Sequence, residues 1–125
     1  MAKLAAYYAG ICYLHLGDFN NAVKYLKDFS SDDKTLQIVA FGSLGDAYSE
    51  LKKNKEAIEY YTKAGNYFDK QENLSGEYLF RAAFLNESIG NTKEALELYK
   101  NLKKRFPRSE KGLQVDKYIA RLGNE

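Results

Sequence analysis

Toward the C-terminus, Val115, Tyr118, Ile119 and Leu122 fall at i, i+3, i+4 and i+7, the spacing that gathers apolar side chains on one face of a helix. Glu110, Gln114, Lys117 and Arg121 fall on another face, so the pattern predicts a helix over about 109–123 that covers the end of a stack and turns its charges to water. Ser109 suits its N-cap and Gly123 its stop. Upstream, a turn followed by an amphipathic run recurs three times, through Leu16-Gly17-Asp18-Phe19-Asn20-Asn21-Ala22, Lys52-Lys53-Asn54-Lys55-Glu56-Ala57 and Gly90-Asn91-Thr92-Lys93-Glu94-Ala95. Ala22, Ala57 and Ala95 stand 35 and 38 residues apart, a register that marks a helical repeat with a few residues inserted before the third copy.

Each copy predicts two helices whose closest approach needs small side chains, supplied by Gly10, Gly45 and Ala83 in the first helix and Ala22, Ala57 and Ala95 in the second. Tyr13, Tyr48, Leu26, Tyr61 and Tyr99 are the bulk expected to fill the space between units. Gly17 and Gly90 fit left-handed helix ends, with Asp18 and Asn91 as caps of the helices that follow. Lys52 stands where a glycine would serve better, and no Ser, Thr, Asp or Asn precedes the first helix to cap it, so natural sequence ahead of Met1 is expected to be missing.

In period and residue type the three copies resemble tetratricopeptide repeats. The resemblance rests on Gly10, Tyr13, Gly17-Asp18-Phe19, Ala22 and Leu26 in the first copy, and on Phe41, Leu44-Gly45, Tyr48, Ala57, Tyr61 and Ala64 in the second. In the third it rests on Leu79, Ala82-Ala83, Gly90, Ala95, Tyr99 and Pro107, with Asn86 departing where a Tyr is usual. It implies an all-α solenoid filling one domain, residues 1–125. Three helix-turn-helix repeats occupy about 3–33, 34–70 and 74–107, and a capping helix about 109–123. Residues 7–14 and 116–121 further resemble bacterial repeat proteins tethered to a membrane by an N-terminal helix. That resemblance implies a soluble periplasmic domain attending other envelope proteins as an adaptor or chaperone-like accessory, reaching the membrane only through an anchor absent from this chain. Without it a cytoplasmic protein is expected.

Composition narrows the chemistry. With 45% apolar and 29% charged residues and a formal net charge of +2, the chain reads as a folded protein. One Cys and one His exclude a disulfide framework and a Cys-rich zinc site, and no cofactor is expected. No apolar run approaches the roughly 18 residues of a membrane span, and no glycine loop for phosphate is present. Cys12 and His15 share a side of the first helix, yet no third group orients them, and a buried inert thiol is the expected state of Cys12. Asp46 and Glu50, four apart, are the carboxylates best placed to share a cation, and an exposed helix face is their ordinary setting. An enzyme is not expected.

The resemblance implies that partners bind on the concave face lined by the first helix of each unit. By position these residues are Tyr7, Ile11 and His15; Asp46, Ser49 and Glu50; and Phe80, Arg81, Phe84 and Glu87. Aromatic side chains there offer a partner protein or peptide segment a large contact area; packing of Phe80 and Phe84 on each other or on the next unit is the alternative of equal weight. The family subtype that clamps a terminal carboxylate needs Lys and Asn where this chain has Tyr7, Ile11, Gly42 and Asp46, and is disfavoured. The alternative is a polyanion, nucleic acid or anionic lipid, on the basic run Lys100, Lys103, Lys104, Arg105, Arg108 and Lys111. Glu97 and Glu110 lie close by, and lysines ending a helix complement its dipole, so nucleic acid is disfavoured. A homo-oligomer is compatible with the sequence.

Overall fold

A computed structural model describes residues 3–123, which form eight helices and no strand. The first unit pairs α1 (Lys3–His15) with α2 (Phe19–Lys27), the second α3 (Lys34–Glu50) with α4 (Asn54–Asn66), and the third α5 (Glu72–Ser88) with α6 (Thr92–Arg105). Each helix packs on the next, and α1, α3 and α5 also meet along one side of the stack. The expected C-terminal cap is present as two pieces, α7 (Glu110–Gln114) and α8 (Asp116–Gly123), which pack on α5 and α6. The ladder is broken at Val115, whose fully buried side chain joins Leu79, Tyr99, Leu102 and Phe106 in the core. No helix among the described residues is long and apolar enough to cross a membrane. Met1, and with it the expectation about the chain start, lies outside those residues.

The small residues work as the pattern predicts. Ala22, Ala57 and Ala95 are fully buried, and a Cβ on Gly10 or Gly45 would come within 2.5 Å of Leu26 or Tyr61 respectively. Of the expected spacers, Leu26, Tyr48, Tyr61 and Tyr99 are buried. Tyr13 is only half-buried and stacks on Tyr25, 5.5 Å away, inside the first unit instead of between units.

All three repeat turns close alike. The N–H groups of Asp18, Lys53 and Asn91 donate back to the carbonyls of Tyr13, Tyr48 and Asn86 at 2.8–2.9 Å, with the preceding residue left-handed. Gly17 and Gly90 adopt φ of 81° and 91° at little cost, and Lys52 adopts 62° despite its Cβ. Asp18 and Ser109 cap their helices, accepting from the N–H of Asn21 at 3.3 Å and of Gly112 at 2.9 Å. Asn91 makes no side-chain cap bond. Its amide donates instead to Asn86 Oδ1 at 3.2 Å, while Asn86, buried where a Tyr is usual, donates to the Ala82 carbonyl at 3.0 Å.

Candidate partner-binding groove

Along the side where α1, α3 and α5 meet, Tyr78 of α5 lies across Gly42 of α3 so closely that a Cβ there would fall 2.1 Å from the ring. The bare glycine backbone therefore lets the two inner helices seat an aromatic ring between them. Tyr78 in turn stacks on Tyr61, with ring centroids 6.3 Å apart. Burial, most of all, pushes the Tyr78 phenol up to about 12.

The charged side chains around Tyr78 pair with one another. Arg81 Nη1 donates to both Asp46 oxygens at 2.9 Å and its Nε to Glu77 at 2.8 Å, while Lys111 stands 3.9 Å from Glu77. The Tyr61 hydroxyl donates to Asp46 at 2.5 Å. Burial opposes the Arg81 charge, but the Glu77 hydrogen bond and the Asp46 carboxylate outweigh it and hold the guanidinium above its ordinary value. The next joint repeats the arrangement: Tyr99 donates to Glu87 at 2.9 Å, and Arg121 of α8 bonds the other Glu87 oxygen. Burial, together with these carboxylates, raises both the Tyr61 and Tyr99 phenols.

Beside that network, Phe80 and Phe84 stack at 5.9 Å. Phe80 is half-buried against Tyr99 and Tyr118 at 5.8 and 5.2 Å, with the Lys111 ammonium 4.6 Å over its ring. Phe84 is 48% exposed. The pair borders a cavity of about 290 Å³ whose walls include Ser49 of α3 and Glu77, Arg81 and Ser88 of α5. A larger depression of about 1070 Å³ lies between the α4–α5 loop and the α6–α7 turn. Its rim mixes Asp69, Glu72 and Glu110 with Lys70, Arg105 and Arg108, which makes it a solvated surface and not an apolar slot.

Of the residues singled out from sequence, Ser49, Phe80, Arg81 and Phe84 come together at the cavity, with Asp46 bonded to Arg81. Glu87 is tied to the cap, and Glu50 is exposed. Tyr7 is a correction: only 8% exposed, it packs 5.1 Å from Phe29 and belongs to the core of the first unit. Burial, with Tyr8 and Asp33 nearby, raises its phenol. Ile11 is half-buried against the same core, and His15 stands exposed at the end of α1. Cys12 is exposed, not buried as expected, because among the described residues no helix packs on that side of α1. No group of three His, Cys, Asp or Glu that could hold a metal occurs among the described residues. Within the basic run, Lys103 pairs with Asp116 at 3.3 Å and Arg105 bonds Asn66.

The sequence pattern did not mark Glu77 or Ser88 for the groove, and it placed Lys111 in the basic run instead. The i, i+4 spacings of Glu77 with Arg81 and of Phe84 with Ser88 point to the first two, and Ser88 does donate to the Phe84 carbonyl at 2.8 Å. Lys111 reaches the groove only through tertiary folding. Comparison with known families matches residues 4–33 and 77–109 to one tetratricopeptide repeat family and residues 39–64 to another of the same description. Comparison with curated proteins returns no match.

Proposed function

The chain belongs to the tetratricopeptide repeat family, whose repeats are non-catalytic protein-interaction modules, and from that premise we propose that it holds a partner segment on its first-helix face through the aromatic slot of α5. The observation that carries this reading is Phe84, a large apolar side chain 48% exposed at the mouth of a cavity whose neighbouring charges already have partners. An exposed ring stacked on a fixed one loses little entropy when covered, so it suits an apolar anchor on an extended or helical segment. Adaptor work among envelope proteins is the setting in which we expect the groove to act, on the strength of residues 7–14 and 116–121.

Partners captured with the natural protein as bait test the proposal. Phe84→Ala should leave the melting temperature nearly unchanged and weaken capture by about thirtyfold, the effect of losing roughly 2 kcal/mol at a hot spot. Leu113→Ala, an exposed apolar side chain on α7, serves as the control. If the partner binds Phe84→Ala undiminished while a Lys104→Glu, Arg108→Glu variant loses it, the surface at work is the basic run and the groove reading fails.

A further inference from the structure

Given the groove reading above, on which this rests, we infer that the segment held at the α5 slot is basic. It lays an arginine or lysine over the exposed face of Phe84, with the charged head directed at Glu50. The rings around the slot already show what they carry. Arg81 lies 5.1 Å over Tyr78, Lys111 4.6 Å over Phe80 and Arg121 5.2 Å over Tyr118, each cation drawn to the electron-rich face of its ring. Phe84 stacks on Phe80 and is the most exposed of these rings, yet among the described residues no cation lies over it.

The carboxylate that would meet such a head is in place. α3 and α5 run side by side in one direction here, since Asp46 bonds Arg81 and, one turn on, Ser49 shares the cavity with Phe84, Leu85 and Ser88. Glu50 stands four residues from Asp46, so it lies on the same face of α3 at the level of Phe84. Around the slot Arg81 and Lys111 offset Asp46 and Glu77, which leaves Glu50 exposed and with no ion pair among the described residues. Its position opposes the fold: Glu50 ends α3, where the helix dipole is negative, and the last turn of α3 holds no basic residue to compensate. Glu87, in the last turn of α5, opposes its own dipole too, but Tyr99 and Arg121 hold it there. A basic partner segment would do the same for Glu50. An acidic one finds no such opening, because Arg81 already spans two carboxylates and Lys111 and Arg121 each have one. Arg and Lys also suit the shape of the site, laying an alkyl stem along apolar surface while the head stays at the polar edge.

Fluorescence anisotropy with two sets of short synthetic amphipathic peptides tests the inference on the full chain. The sets share their apolar positions, and their polar positions are Lys and Arg in one and Asp and Glu in the other. The chain's formal net charge of +2 favours the acidic set, so a preference for the basic one measures the slot and not the bulk charge. The basic set should bind roughly tenfold tighter, the gain of one cation–π contact and one surface ion pair together. Glu50→Gln should weaken that binding about threefold and leave the melting temperature unchanged or slightly higher, because the carboxylate at a helix C-terminus is gone. Glu97→Gln, which removes an exposed carboxylate from α6, should leave binding unaltered. Phe84→Ala should weaken the basic set about thirtyfold. A basic set that binds no tighter than the acidic one, or equal effects of Glu50→Gln and Glu97→Gln, overturns the inference, and the groove reading survives if Phe84→Ala still weakens whichever set binds. If Phe84→Ala changes neither set, the groove reading itself fails and the basic partner with it.

Discussion

Removing the Tyr61 side chain separates the energy of repeat packing from that of the charge network built on it. The ring is 5% exposed, fills the space left by Gly45 and stacks on Tyr78, which joins the second unit to the third. Deleting so large a buried aromatic costs about 3–5 kcal/mol, a transfer loss plus the cavity left behind. Tyr61→Phe keeps the ring and removes only the hydroxyl bonded to Asp46, and hydrogen bonds to charged groups contribute about 1.5–3 kcal/mol. Arg81 still satisfies both Asp46 oxygens, so the Phe variant should fall at the lower end of that range. Against a total of about 5–15 kcal/mol for a domain, the Ala variant takes a large fraction of the stability and the Phe variant a modest one. Urea unfolding followed by circular dichroism measures both. The Ala variant should also lower the m-value, because uncoupled units no longer unfold as one. A loss below about 1 kcal/mol for Tyr61→Ala, or equal losses for Ala and Phe, would refute the assignment of the ring as the joint between units.

Lys52→Gly should raise the urea midpoint by the equivalent of about 1 kcal/mol, because a left-handed φ of 62° strains any side chain with a Cβ; an unchanged or lower midpoint would contradict that turn. Alkaline titration should show stability level up to about pH 10 and falling above it. There the unfolded chain ionises tyrosines whose folded values are raised, Tyr61 and Tyr99 by burial and carboxylate neighbours and Tyr78 to about 12, so the native state keeps protons that the unfolded state has lost. Tyr61→Phe should flatten the decline, as monitored by thermal melts between pH 8 and 11.

The architecture was legible because it depends on local rules repeated in register. Ala22, Ala57 and Ala95 mark the close crossings and Gly17 and Gly90 the left-handed ends, and each is a demand the backbone makes on a residue type. The groove was legible only in part, since periodicity assigns a face but not a neighbour. Phe80 and Arg81 lie on one helix, yet the partners that fix them, Tyr118, Lys111 and Asp46, come from elements 30 or more residues away in the chain. Tyr7 shows the limit from the other side: its position in the repeat points to the groove, but Phe29, from the segment after α2, covers it. Val115 shows it again: the spacing predicts its burial on one continuous helix, whereas it is buried between α7, which ends at Gln114, and α8, which starts at Asp116.

A stack of units behaves as a spring whose compliance is set joint by joint. Between the second and third units, a flat ring seated on bare Gly42 backbone is clamped by the Asp46–Arg81 ion pair, and the Glu87–Arg121 pair ties the third unit to the cap in the same way. Among the described residues, no ion pair spans the first and second units. That first joint is held by apolar contact instead, Leu26 and Phe29 packing in one core with Ile38 and Leu44, so its strength should be indifferent to salt where that of the later joints is not.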